Sequence, residues 1–214
     1  IFTTGTLPAQ SPRELKLANT LAGAGNYEAA LEIYLRIYRS GNQTIPVIKG
    51  IQKSYENLGR YEELIVFLEE VVRQNPNNFN YHIDLGTAYY RNNEREQAMR
   101  TWQQIYQQKP PNLMRYRLVA SAMVQVRLFD EAIAVYRQAM QDLENQTTMH
   151  LDIGTLYRAQ LNYEEAVRHY LLYYSHFNKK YSYVQSMIIS MTRDDEATDR
   201  ILASLSESIA QHGA

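Results

Sequence analysis

The sequence predicts an all-α protein of five helical hairpins, each 34 residues long, followed by a degenerate closing pair of helices. One small-residue position recurs at 34-residue intervals, at Ala30, Ala98, Ala132 and Ala166, with Leu64 in the remaining place. Within each interval the apolar residues follow the 3, 4 and 7 spacing of an amphipathic helix. No segment reads as a strand. A fixed period of this length is typical of a helical-repeat solenoid.

Other positions keep the same phase through all five copies without an insertion. Four residues after the small position stand Tyr34, Leu68, Trp102, Tyr136 and Tyr170. Nine residues before it stand Leu21, Tyr55, Tyr89, Met123 and Tyr157. Twelve residues before it stand Ala18, Gln52, Gly86, Ala120 and Gly154. Because small residues let two helices approach closely, we expect the last column to face the small position. The second repeat has Gln52 and Leu64 there, which predicts a wider helix pair.

These columns divide the chain into repeats over 11–44, 45–78, 79–112, 113–146 and 147–180. The predicted first helices cover roughly 11–24, 45–58, 79–92, 113–127 and 147–160. The predicted second helices cover roughly 27–40, 61–74, 95–108, 129–144 and 163–177. Proline stops two second helices, after Asn75 and after Lys109, because it lacks the N–H group and disfavours helix in the residue before it.

The turns inside the hairpins carry residues that tolerate a left-handed backbone. Gly25, Gly59 and Asn93 occupy this place in the first three repeats. Arg127 and Leu161 occupy it in the last two repeats. The sequence therefore predicts that the last two turns differ from the others.

The two ends of the chain depart from the repeat. Residues 1–10 are interpreted as a signal-derived segment or a disordered terminus, which leaves a cytoplasmic and a periplasmic or secreted location both open. Residues 181–214 are predicted to form a degenerate sixth hairpin or capping helices, with Ala197, Ile201, Leu205 and Ile209 at a spacing of four. The alternative is the start of a further domain.

Two stretches carry a recognisable signature: Gly59-Arg60-Tyr61-Glu62-Glu63-Leu64 and Leu161-Asn162-Tyr163-Glu164-Glu165-Ala166. They resemble the helix-turn-helix signature of the tetratricopeptide repeat (TPR) family, and the resemblance covers about residues 11–180. It implies a right-handed superhelical solenoid whose first helices line a concave groove. It also implies a non-enzymatic module that binds a protein or peptide partner.

Composition and side-chain spacing argue against several other classes of function. The chain has 22 Lys and Arg, 23 Asp and Glu, and no Cys, so its net charge is −1. This near-neutral charge disfavours a nucleic-acid binder, and no apolar run is long enough to span a bilayer. Acidic pairs such as Glu62-Glu63 diverge on a helix, so they do not form a catalytic dyad. The histidines are predicted to pack or to lie at the surface. We therefore expect no catalytic residue, no metal and no cofactor.

The family's groove positions supply the candidate binding residues. Among them we select Asn19, Lys49, Lys53, Asn57, Thr87, Tyr90, Arg91, Arg117, Ser121, Gln125, Thr155 and Arg158. The groove positions hold five cations and one anion, Glu56, for a charge of +4. This predicts an extended peptide partner that is acidic or presents a carboxylate. The alternative is a protein that self-assembles, with a homo-oligomer as the product, or an accessory domain of a larger assembly.

Overall fold

The computed structural model describes residues 11–144, 147–177, 181–192 and 195–212, and over these ranges the regular structure is entirely helical. Backbone contacts divide the chain into two compact units, Ile1–Met99 and Arg100–Ala214. The predicted segment at residues 1–10 lies outside the described residues. The all-α class predicted from the period is confirmed.

The first unit contains three first helices, which alternate with second helices. Its helices are α1 (Ser11–Gly23), α2 (Tyr27–Arg39), α3 (Ile45–Leu58), α4 (Tyr61–Gln74), α5 (Phe79–Arg91) and the start of α6 (Arg95–Tyr106). Helix α4 ends two residues before Pro76, as the proline predicts. Helices α1 and α3 pack against each other, so consecutive first helices lie side by side.

The second unit continues the same alternation. Its helices are α7 (Leu113–Gln125), α8 (Phe129–Asp142), α9 (Met149–Ala159), α10 (Tyr163–His176), α11 (Tyr181–Ile189) and α12 (Asp195–His212). The bounds of the ten helices predicted in the five repeats agree with the structure to within two residues at each end. The amphipathic periodicity is therefore sufficient to place these helices.

The prediction that the last two turns differ from the others is wrong. Arg127 and Leu161 have φ angles of +63° and +60°, close to the +68° of Gly59 and the +64° of Asn93. Gly25 of the first repeat has a φ of +82°, so all five turns are left-handed at the same position of the repeat. A side chain with a Cβ atom pays about 1–2 kcal/mol for this conformation. The packing of the hairpin helices imposes it regardless of the residue.

The close approach of hairpin helices rests on the small residues. Gly154 on α9 lies so close to α10 that a Cβ atom added to it would stand 2.8 Å from the ring of Tyr170 and 3.2 Å from the carbonyl oxygen of Ala166. In the second repeat both Gln52 and Leu64 are buried. There the backbones of α3 and α4 pack less closely than those of α1 and α2. This agrees with the wider pair predicted for that repeat.

The last two helices both pack on α10. Ala197 and Ile201 of α12 are buried and Leu205 is half-buried, as the spacing of four predicts. Arg200 lies at the exposed edge of this contact, where its guanidinium Nε is 3.3 Å from the carboxylate of Glu164. The sixth pair of helices thus covers an apolar face of α10.

Candidate functional site

The candidate residues lie on the first helices, and each unit is described separately. The first-helix face of the first unit is formed by α1, α3 and α5, and that of the second unit by α7, α9 and α11. In the first unit, the Lys49 ammonium on α3 lies 2.7 Å from the carboxylate of Asp84 on α5. The same ammonium donates to the amide oxygen of Gln52 at 3.1 Å. Gln52 in turn donates to the carboxylate of Glu56 at 3.2 Å. Lys49 is therefore engaged within the protein.

The second unit repeats this ion pair at the same register. Arg117 on α7 lies 3.2 Å from the carboxylate of Asp152 on α9. Burial raises the pKa of Asp152, and the neighbouring guanidinium opposes that rise. Both pairs join residues that are 35 positions apart. In the sequence, each pair is visible as a basic residue followed by an aspartate one repeat and one residue later.

These two aspartates change the charge of the candidate surface. The prediction of +4 counted neither Asp84 nor Asp152, because they lie one position beyond the groove positions that the family defines. Including Asp84 lowers the charge of this face from +2 to +1 in the first unit, and including Asp152 lowers it from +2 to +1 in the second. Cations that an intramolecular carboxylate neutralises contribute little to binding an acidic partner.

Two other predicted cations of the first unit are exposed and make no ion pair with any residue that the structure describes. They are Lys53 on α3 and Arg91 at the end of α5. Tyr90, next to Arg91, is half-buried. Asn57 donates its side-chain N–H to the backbone oxygen of Lys53 at 2.7 Å, which leaves its oxygen as an acceptor. Among the candidate groove cations of this unit, the unpaired ones thus lie towards the C-terminal ends of α3 and α5.

The remaining hydroxyl and amide candidates are mostly engaged inside the protein. The hydroxyls of Thr87 and Thr155 each donate to a backbone oxygen one turn earlier at 2.9 Å. Asn19 accepts a hydrogen bond of 2.6 Å from the hydroxyl of Tyr34. Ser121 and Gln125 of α7 are exposed. They present polar groups rather than charge.

Arg158 occupies a contact that the repeat pattern did not predict. Its guanidinium donates to the hydroxyl of Ser190 at 3.3 Å and lies 3.7 Å from the sulfur of Met187. Both partners belong to the segment that follows the fifth repeat. Arg158 therefore contributes to packing α11 against α9.

Two histidines of the second unit are in contact, which the repeat pattern does not predict. The rings of His150 on α9 and His169 on α10 have their centroids 5.0 Å apart. The ring of Tyr157 lies 5.6 Å from that of His169. His169 is buried, and burial lowers its pKa to about 4. The two histidines are 19 positions apart on different helices, so the spacing along one helix does not reveal their contact.

The described residues contain neither a metal-binding group nor a membrane-spanning helix. No three His, Asp or Glu side chains in these ranges converge closely enough to hold a metal ion. None of the described helices is both long enough and apolar enough to cross a membrane.

A family model for the tetratricopeptide repeat matches residues 53–78, which span most of the second repeat from within α3 to the end of α4. The same hairpin recurs in phase through the rest of the 34-residue pattern. The chain contains a tetratricopeptide repeat. No curated protein sequence matches this chain significantly.

Solved TPR structures are similar in fold at low sequence identity. MamA from residue 41 to its end, from Desulfovibrio magneticus RS-1, matches with a TM-score of 0.50 and 14% identity over 88% of this chain and 100% of that one. A double mutant, MamA RS-1 ArsTM, matches at 0.49 and 15% over 83% and 99%. YrrB, described as a TPR protein with an unusual peptide-binding site, matches at 0.41 and 17% over 76% and 84%.

The repeat match supports a coarse statement of function. The TPR fold is generally a non-catalytic scaffold for protein interaction, and the match supports a protein-interaction module. Which surface binds the partner, and what chemistry it recognises, follows from the charges described above only as a proposal.

Proposed function

We propose that the first-helix face of the first unit binds an extended peptide. The peptide is recognised by its own acidic side chains or by its C-terminal carboxylate. The observation that carries this proposal is the contrast between cations. Lys49 is paired with Asp84, whereas Lys53 and Arg91 have no intramolecular carboxylate among the described residues. Exposed cations without a partner are the groups that gain most from an incoming carboxylate.

The helix geometry places these two cations near each other. The Lys49–Asp84 pair sets the level of α3 against α5. Lys53 lies one turn beyond Lys49, and Arg91 lies seven residues beyond Asp84. At about 1.5 Å per residue, the two cations differ by roughly 5 Å in height along neighbouring helices. One acidic segment of two or three residues spans this interval.

Neighbouring side chains supply contacts that carry no charge. The half-buried ring of Tyr90 offers an apolar surface beside Arg91, and the amide oxygen of Asn57 accepts from a peptide N–H. The hydroxyl of Thr87 donates to the backbone of α5 and is therefore not counted among these contacts. The peptide is therefore held at its ends by charge and along its length by these two side chains.

The test uses a library of labelled peptides with free C-termini, in which Asp and Glu are varied. The immobilised chain is compared with the Lys53→Glu/Arg91→Glu variant, and Arg73→Glu on the exposed side of α4 is the control for added negative charge. We expect acidic peptides to be enriched by the wild type and by the control, and lost by the double variant. Retention should also fall as salt rises.

An identical set of peptides retained by the wild type and the double variant would reject this surface as the binding site. Circular dichroism on all three proteins checks that the exposed substitutions leave the helices intact. A set enriched in neutral peptides by the wild type would retain the site but reject its acidic specificity.

A further inference from the structure

A groove in the first unit is lined mainly by the second helices α2 and α4. It encloses about 710 Å³. Tyr38, Tyr55 and Phe67 contribute to its lining and are buried. Leu35 and Val66 add apolar surface, and Val66 is 68% exposed. We call this the second-helix groove. Its volume lies within the range of sites that hold a small ligand or one or two side chains.

The hydroxyl of Tyr55 lacks the partner that its repeat equivalents have. Tyr89, one repeat later, donates to the carboxylate of Glu69 at 2.6 Å. Tyr157, three repeats later, accepts from the guanidinium of Arg137 at 2.8 Å. In both cases the partner is 20 residues earlier in the chain. For Tyr55 that position is Leu35, which has no polar atom in its side chain.

The hydroxyl of Tyr55 is consequently available to bond a ligand. Only 7% of its surface is exposed, and its hydroxyl makes no hydrogen bond with any residue that the structure describes. The hydroxyl is not among the described side-chain atoms that are both buried and unbonded, so it reaches the solvent of the groove. A donor or acceptor that enters the groove can therefore bond it directly.

The charge around the groove selects a cation. Helices α2 and α4 carry six Glu and three Arg. Three of these glutamates, Glu62, Glu63 and Glu70, line the groove together with one cation, Arg39. Glu63 is already paired with Arg60, so Glu62 and Glu70 are the carboxylates left for an incoming cation. Within the described part of the chain, the carboxylate of Glu62 makes no hydrogen bond or ion pair. The groove therefore combines carboxylates, aromatic rings and a hydroxyl that lacks a partner.

The chain already holds one guanidinium at the edge of this groove. The Arg60 guanidinium lies over the ring of Tyr55, 5.4 Å from its centroid, and one of its nitrogens is 2.6 Å from the carboxylate of Glu63. This contact combines a cation–π interaction with an ion pair. It shows that the groove and its rim accommodate a planar cation between an aromatic ring and a carboxylate.

We propose that the second-helix groove binds an arginine side chain carried by a basic segment of a partner protein. The guanidinium donates to the Tyr55 hydroxyl and to a rim carboxylate, Glu62 or Glu70. An apolar residue next to that arginine packs against Leu35 and Val66. This site is separate from the first-helix face and opposite to it in sign, so the module can engage two segments of different charge.

The probe is the tripeptide acetyl-Leu-Arg-Leu-amide, titrated into the full chain with ring-labelled tyrosines and followed by NMR. Its matched control is the peptide with citrulline in place of arginine, which keeps the shape and removes the charge. The Tyr55→Phe variant identifies the Tyr55 resonance. We expect a saturable shift of that resonance with the arginine peptide and about tenfold weaker binding with citrulline.

Three variants test the site itself. Glu62→Gln/Glu70→Gln should weaken arginine-peptide binding about tenfold or more. Leu35→Arg should abolish it, because its own guanidinium reaches Tyr55 as Arg137 reaches Tyr157. Glu32→Gln on the exposed surface of α2 is the charge control and should change nothing. Unchanged helical circular dichroism shows that each variant folds.

The proposal is overturned if citrulline and arginine peptides bind equally, or if the double glutamine variant binds as well as the wild type. It is also overturned if free arginine amide binds as tightly as the tripeptide, because the groove would then be a small-molecule site. Loss of the peptide signal on Lys53→Glu/Arg91→Glu, with retention on Glu62→Gln/Glu70→Gln, would assign the binding to the other face.

Discussion

The Nδ1 atoms of His150 and His169 lie 2.9 Å apart, although the two residues are 19 positions apart in the chain and belong to different helices. This distance is that of a hydrogen bond, so one ring donates its proton and the other accepts it. The nearby charged groups that act on the pair are His176, Arg137 and Arg168, all basic. The site therefore favours two neutral rings.

This pair predicts that acid destabilises the fold. The pKa of His169 is lowered to about 4 and that of His150 is lowered as well, chiefly by burial. Below about pH 6.5 the unfolded chain binds protons at these rings and the folded chain does not. Stability is thus complete above pH 6.5 and falls as the pH drops towards about 4, by on the order of 3 kcal/mol for His169.

Urea denaturation at several pH values between 7.5 and 4.5 measures this loss. His169→Gln keeps a polar side chain beside His150 but does not titrate, so its midpoint should change less with pH than that of the wild type. His82→Gln, whose parent ring bonds the Pro76 oxygen at 2.9 Å in the first unit, is the control. Equal pH dependence in all three proteins would show that the pair does not govern acid stability.

Leu161→Gly should stabilise the protein by about 1 kcal/mol. Leu161 has a φ of +60° and is 65% exposed, so glycine relieves backbone strain and gives up little buried surface. Gly59→Ala, at the equivalent turn, should destabilise by a similar amount. Thermal denaturation of both variants checks the pair. A lower midpoint for Leu161→Gly would show that its side chain makes contacts that outweigh the strain.

Gly154→Ala should destabilise by about 1–3 kcal/mol, because the new Cβ would stand 2.8 Å from the buried ring of Tyr170. Gly23→Ala is the matched control, since nothing lies within 4 Å of a Cβ there. Denaturation midpoints measure both. The double variant Gly154→Ala/Tyr170→Leu should lose less than the sum of the single variants. Strict additivity would mean that the ring is not the obstacle.

Asp84→Asn should strengthen binding of acidic peptides to the first-helix face. Removing this carboxylate releases the Lys49 ammonium, which lies 2.7 Å from it, and adds one unpaired cation to the surface. We expect a severalfold gain at low salt that disappears at high salt, since the ion pair itself is exposed and weak. Glu32→Gln on the exposed surface of α2 is the control for charge, because Glu32 pairs with no cation among the described residues. Tighter binding by both variants would indicate only a general effect of net charge.

Deleting residues 195–214 should promote self-association. Helix α12 packs on α10, where Ile201 joins the same buried apolar cluster as Val167 and Tyr170. Loss of α12 therefore exposes an apolar face of α10. Light scattering and size-exclusion chromatography over a range of concentrations measure the result. A truncated chain that stays monomeric with an unchanged denaturation midpoint would show that α12 is not a cap.

The helices and the repeat could be predicted from the sequence because both depend on which residues are apolar and on their spacing. The turn at Arg127 could not, since residue preference there opposes the packing of α7 and α8, and packing prevails. The Lys49–Asp84 and His150–His169 contacts are set by which side chains meet across helices. The positions within one repeat do not show which side chains meet between repeats. For the ion pairs, the 35-residue offset between opposite charges does show it.

The two ion pairs at that offset also bear on how the chain assembles. Five similar hairpins present similar apolar faces, so a folding chain can stack one of them on the wrong neighbour. In such a stack, Lys49 against the fourth repeat would meet Leu118, and Arg117 against the second would meet Gly50. Asp84 and Asp152 would then lose their counter-ions. The ion pairs therefore favour the native order of repeats over other orders in which similar hairpins could stack.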